Sequence, residues 1–382
     1  MRKIIIAIAA SFMALASMQA APKAQSTKAD DSRITYLGRT LVKDGEVSFD
    51  WSAVTARTRF HGQYLAMKCS DTKKNYYNVW IDSDITGAEV DKVIYTEGTD
   101  TLIVIATAED FAAKAAQMPK AERKKYLAGE HKVIIQKRTE GEQGTTTIKE
   151  FITEGEMLQA EGLKPRMIEF VGDSYTCGYG SENSVSSDPF KPETENVNKS
   201  YCQIIARHFG ADAFIVAHSG MGIARNYNSK FAGLYMPDRY NQVFDMDEKV
   251  MWDAKKSAFA PAITVIYLGT NDFSVSTQPS LASFKKHYHQ LLSEIKANYG
   301  EDHPILCVSS KADVVLFDYV RASVETCGLK NVNFLGIFEG IHHNDDSELG
   351  ASFHPNYKGH HKIAAAMMPY VATMTGWDFE IE

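Results

Sequence analysis

Two hydrophobic patterns share this chain, and they meet near residue 160. From about Ile34 to Gly155 the apolar residues fall in short runs separated by turn residues, among them 47–51, 58–60, 77–81, 101–105 and 131–135. Runs that short, at that spacing, bury themselves by forming a sandwich or jelly roll. From about Lys164 the runs become near-continuous: 167–171, 213–217, 263–268, 305–308 and 332–335. They alternate with amphipathic stretches that stop at Gly300 and Gly328. That pattern needs a parallel sheet covered by helices on both faces. The expected fold is therefore α/β: an N-terminal β jelly-roll or sandwich domain over 33–158, then a parallel-sheet α/β/α domain over 160–382. Residues 108–127, rich in Ala, Lys and Glu, read as a single surface helix interrupting the strands.

The first twenty residues stand outside this scheme. Arg2 and Lys3 precede an apolar run over 4–16, followed by small residues such as Ala20 and Ala21. A charged start, a short apolar stretch and a small-residue zone make a signal peptide over 1–20. The apolar run is too short to span a membrane comfortably. A secreted or periplasmic protein is expected. Export permits disulfides, yet the five cysteines are an odd count and the core is large enough without them. No disulfide scaffold is expected. A net charge of −7 gives no reason to expect nucleic acid or anionic lipid as partner.

The polar residues that matter sit where strands end. The first long strand stops at Gly172-Asp173-Ser174, the second at His218-Ser219-Gly220-Met221-Gly222, and the third at Gly269-Thr270-Asn271-Asp272. Near the C-terminus, Ser352-Phe353-His354-Pro355 precedes the closing helix. In a parallel sheet these segments share one edge, where ligands bind. Ester hydrolysis by serine needs a nucleophile, a base within hydrogen-bond reach, and donors aimed at the developing oxyanion. Ser174 suits the first role and His354 the second. The N–H of Ser174, a glycine N–H of the second turn, and the Asn271 amide suit the third. No metal and no cofactor is needed.

These four segments resemble the four blocks of the SGNH (GDSL-type) hydrolase superfamily. Residues 168–180 and Gly359-His360-His361-Lys362 resemble carbohydrate esterase family 2 more closely, and Gly38-Arg39, Phe49-Asp50-Trp51 and 131–140 are similar to its N-terminal domain. The resemblance implies an acetyl esterase acting on acetylated carbohydrate. It implies Ser174 as nucleophile, His354 as base, and an oxyanion hole of Ser174, Gly222 and Asn271, with Gly222 favoured over Gly220. One feature departs from the family. Where many SGNH enzymes carry an aspartate ahead of the histidine, this chain has Ala351 and Ser352. His354 is then oriented by a backbone carbonyl, the favoured reading, or by Asp345, Asp346 or Glu348.

Other readings stay open. One alternative is a lipid, thioester or peptidoglycan-type ester as substrate; another is a non-catalytic carbohydrate binder. Ser219 and Cys177 are alternative nucleophiles, and 342–346 reads as a polar loop rather than a metal site. Tyr175, Tyr179, Phe273 and Trp252 either stack on a sugar or simply pack. The polar, aperiodic segment 181–198 reads as a rim over the site. The sequence leaves oligomeric state undetermined.

Overall fold

The computed structural model describes residues 24–87, 89–229, 234–337 and 345–379. The leader over 1–20 and His342, His343 and Asn344 lie outside the described residues. The early strands pair into two antiparallel sheets. One runs Leu41–Lys43, Glu46–Phe49, Thr146–Thr153, Leu65–Asp71, Thr101–Ala106, with Gln25–Lys28 also on Thr146–Thr153. The other runs Met157–Leu158, Thr55–His61, Glu130–Lys137, Lys74–Ile81, Lys92–Glu97, with Thr35–Leu37 on Thr55–His61. Val47, Phe49, Phe60, Met67, Val133 and Phe151 meet between them, each essentially inaccessible to solvent. Alternating residues supply that layer, as a sandwich requires.

The expected single helix over 108–127 is two, Ala108–Ala116 and Lys120–Leu127. Pro119 sits between them as the cap of the second. Its ring removes an N–H and cannot continue the first helix.

The second half is a five-stranded parallel sheet in the order Asp212–Ala217, Met167–Gly172, Ile263–Tyr267, Ile305–Ser310, Val332–Ile337. The first three of these strands are buried along their whole length. Helices Tyr201–His208 and Tyr357–Thr375 pack together, as do Leu281–Tyr299 and Val314–Thr326. The order matters for function. From Met167–Gly172 the chain moves to one neighbour, then crosses to the other. This is the topological switch point, where connections leave in opposite directions and open a crevice at the carboxyl ends.

Candidate active site

Ser174 stands at that switch point. Strand Met167–Gly172 ends at a glycine because nothing larger fits: a Cβ on Gly172 would lie 1.9 Å from Thr176 Oγ1. Asp173 then caps a single helical turn, Ser174–Cys177, accepting from Tyr175 N–H at 3.2 Å. The turn closes at Gly178 in the left-handed conformation, φ 77°. Ser174 is thus the first residue of a rigid turn, and its N–H is bonded to no described residue. Burial pushes Asp173 up to about 7, against the lowering effect of the Tyr175 N–H.

His354 reaches Ser174 from the other side. Its Nε2 lies 2.9 Å from Ser174 Oγ, and its Nδ1 lies 3.0 Å from the Ser352 carbonyl oxygen. With Nδ1 protonated toward that carbonyl, Nε2 is the lone-pair nitrogen and accepts from the serine hydroxyl. Ser352 and Phe353 hold the carbonyl there by adopting consecutive left-handed conformations, φ 52° and 60°. Such strain persists only where surroundings impose it. The segment 181–198 does so, since Ser352 N–H donates to Asp188 O and Phe353 N–H to Ser186 O, each at 2.9 Å. Tyr179 tilts against the imidazole at 4.3 Å and stacks on Phe190, and Tyr175 meets it edge-on at 5.5 Å.

Two of the acidic alternatives, Asp345 and Glu348, are engaged elsewhere. Asp345 accepts from Ser347 N–H, and Glu348 is paired with Lys362 at 2.6 Å. Ser219 borders the same cavity, but the imidazole hydrogen-bonds Ser174. Burial, reinforced by Glu140, keeps the Cys177 thiol well above its usual range, so it stays protonated.

The second turn departs from expectation at one residue. Gly222 N–H is already donated to Asn226 Oδ1 at 3.0 Å, and Gly222 does not border the cavity. Glycine is required there for another reason: a Cβ would sit 1.8 Å from the Arg225 carbonyl oxygen. Gly220, in the left-handed region at φ 81°, borders the cavity, and its N–H is bonded to no described residue. Gly220, not the expected Gly222, is therefore the glycine whose N–H is placed to serve the cavity. Asn271 lies beside it. Its Nδ2 donates to Met221 O at 2.8 Å and, over a longer 3.2 Å, to Asp173 Oδ2. Asp272 anchors the turn beyond, accepting from Ile223 and Ala224 N–H groups.

These groups open on a cavity of about 1090 Å³. Tyr175, Tyr179, Phe190, Tyr227, Phe273 and the exposed Phe353 form its aromatic part, while Lys73, Glu142 and Gln143 of the β domain line it too. Trp252 is elsewhere, packed on Phe214 and over the Arg39 guanidinium. Phe190 was not singled out by the sequence, since it lies in the aperiodic segment 181–198. Among the described residues, Glu140, Cys177 and Glu195 bring metal-ligating atoms within 4.8 Å of one another. A buried protonated thiol is a poor ligand, and the neighbouring Lys137 supplies a positive charge already. The described cysteines are all free.

Comparison with known proteins places this architecture. Residues 168–367 match the GDSL-like lipase/acylhydrolase family and residues 36–160 the carbohydrate esterase 2 N-terminal domain. The chain belongs to carbohydrate esterase family 2, within the GDSL-like hydrolases. "Cellulase/esterase CelE" of Acetivibrio thermocellus is 28% identical over 363 residues, 94% of this chain; the match spans only 41% of that longer protein. An "Acetylxylan esterase / glucomannan deacetylase" of Cellvibrio japonicus is 25% identical, with 91% of each chain covered. A family two carbohydrate esterase from Clostridium thermocellum, solved in complex with cellohexaose, superposes with a TM-score of 0.77 at 27% identity, over 90% of this chain and all of that one. No described helix is long and apolar enough to cross a membrane.

Proposed function

We propose that this family member is an exported serine esterase that removes O-acetyl groups from carbohydrate. One observation carries the reading: the Ser352 carbonyl, His354 and Ser174 form an unbroken hydrogen-bonded line at 3.0 and 2.9 Å, ending in the cavity. Ser174 Oγ attacks the acetyl carbonyl carbon as His354 Nε2 takes its proton. The N–H groups of Ser174 and Gly220 receive the developing negative charge, and Asn271 Nδ2 joins them by releasing its longer bond to Asp173. His354 returns the proton to the leaving sugar hydroxyl. Water, deprotonated by the same imidazole, then attacks the acetyl-enzyme and frees acetate. A carbonyl fixes the imidazole tautomer but stabilises the imidazolium less than an aspartate would. The aromatic and polar cavity wall suits a sugar better than a long acyl chain. The names of the relatives and the charged, apolar leader support carbohydrate as substrate and export as destination.

Acetate release from acetylated xylan, acetylated glucomannan and a chromogenic acetate tests this. Ser174→Ala is expected to lower turnover by about 10⁴-fold or more with an unchanged melting temperature. Residual activity near wild type, or a clear preference for long acyl esters, overturns it.

A further inference from the structure

The turn that carries Gly220 is clamped from two sides. On its C-terminal side Asn271 holds the Met221 carbonyl. On its N-terminal side Ser219 N–H donates to Glu140 Oε2 at 2.6 Å. Glu140 belongs to the other domain. It follows strand Glu130–Lys137 and enters the α/β half as a wedge: a side chain on Gly141 would collide with Asp245 at 2.5 Å.

Glu140 is 1% exposed, and a carboxylate at that depth is expensive unless compensated. The surroundings supply the compensation. The Cys177 thiol lies 3.6 Å from the same oxygen. The Lys137 ammonium, fully buried, donates to the Thr139 and Glu140 carbonyls at 2.7 and 2.9 Å. Glu195, equally buried, comes alongside, and its Oε2 accepts from Glu140 N–H at 3.3 Å. The Oε1 atoms of both glutamates have no other partner among the described residues. Burial, and then the neighbouring Glu140, holds the Glu195 carboxyl well above the usual carboxylate range, while Glu140 offers its Oε2 to the Ser219 N–H.

We propose that Glu140 is a positioning residue for the oxyanion turn, through which the β domain sets the Gly220 N–H that meets transition-state charge. This rests on the esterase reading above. An oxyanion donor acts over a narrow range of distances, and an error approaching 1 Å can cost about 100-fold. The β domain is thereby a working part of the site, not only a support.

Two variants separate reach from charge. Glu140→Gln keeps the length and a carbonyl oxygen for Ser219, and its amide can donate to Glu195. Glu140→Asp keeps the charge but withdraws it by one methylene. We expect kcat on a chromogenic acetate within about fivefold of wild type for Glu140→Gln, and lower by about 10- to 100-fold for Glu140→Asp, with KM unchanged in both. Rates are expressed per Ser174, counted by complete labelling with a fluorophosphonate, so that partial unfolding does not pass for slow chemistry. Wild-type turnover per labelled site in Glu140→Asp overturns the proposal, as does a Glu140→Gln defect equal to or larger than that of Glu140→Asp. A wild-type Glu140→Asp beside an inactive Ser174→Ala refutes this inference alone. An active Ser174→Ala refutes the esterase reading and this inference with it.

Discussion

His354 is oriented by a peptide carbonyl, and that choice places the functional constraint in the backbone. The Ser352 oxygen is 3.0 Å from Nδ1, while Asp345 accepts from Ser347 N–H and Glu348 pairs with Lys362. Asp345→Asn is therefore expected to leave kcat within about twofold of wild type, because its carboxylate caps Ser347 rather than supporting the imidazole. A loss of about 100-fold in steady-state assays would mean the acid reaches the histidine during turnover. The absence of aspartate at 351 and 352 was plain in the sequence, and so was the consequence that something else must orient the ring. What could not be read was how. Two non-glycine residues in the left-handed region leave no mark in the sequence, since their conformation is imposed by Ser186 and Asp188, more than 150 positions away. The glycine that borders the cavity was hidden for a similar reason. Gly220 and Gly222 look alike until Asn226 is seen to occupy the N–H of one of them.

At the scale of elements, the long apolar strands and their helices were legible because each is buried or amphipathic along most of its length. The expected stops at Gly300 and Gly328 fall just past helices Leu281–Tyr299 and Val314–Thr326, and the strand ends at 172 and 217 fall where glycine or polar residues begin. The α-helical interruption of the β domain was misjudged because its Ala, Lys and Glu content outweighed a single Pro119. Element junctions also carry titratable groups that composition does not reveal. His303 lies just before strand Ile305–Ser310, with Nε2 2.8 Å from Thr264 Oγ1 on the adjacent strand. Burial, with the Lys296 ammonium adding to it, lowers its pKa from 6.5 to about 4. The folded protein thus resists a proton that the unfolded chain accepts. This contribution to stability is complete above pH 6.5 and is lost as the pH falls toward 4, with a slope of about 1.4 kcal/mol per pH unit between them. Urea unfolding across that window should show wild type losing stability more steeply than His303→Gln. Parallel curves for the two proteins would show that His303 does not carry the linkage.

At the scale of the whole molecule, the β domain and the hydrolase domain are joined by buried polar groups that neither could satisfy alone. Glu140 is one such group, and Arg39 is another. Its guanidinium, 1% exposed, donates to the Tyr240 and Gln242 carbonyls and lies 4.4 Å above the Trp252 ring. It is also the cation nearest Glu169, at 3.9 Å. Glu169 sits on the central strand of the parallel sheet, where it accepts from Tyr240, Tyr299 and Thr264 hydroxyls. Removing Arg39 leaves that carboxylate buried without its counter-ion. Arg39→Met should therefore destabilise the protein by about 3–5 kcal/mol, and adding Glu169→Gln should recover part of the loss. Because the pair links the β domain to the central strand, hydrogen exchange followed by mass spectrometry should show protection falling in both halves together. If Arg39→Met loosened residues 25–158 while strand Met167–Gly172 kept its wild-type protection, the domains would be separate folding units, and the β domain could not transmit a fixed geometry to the oxyanion turn.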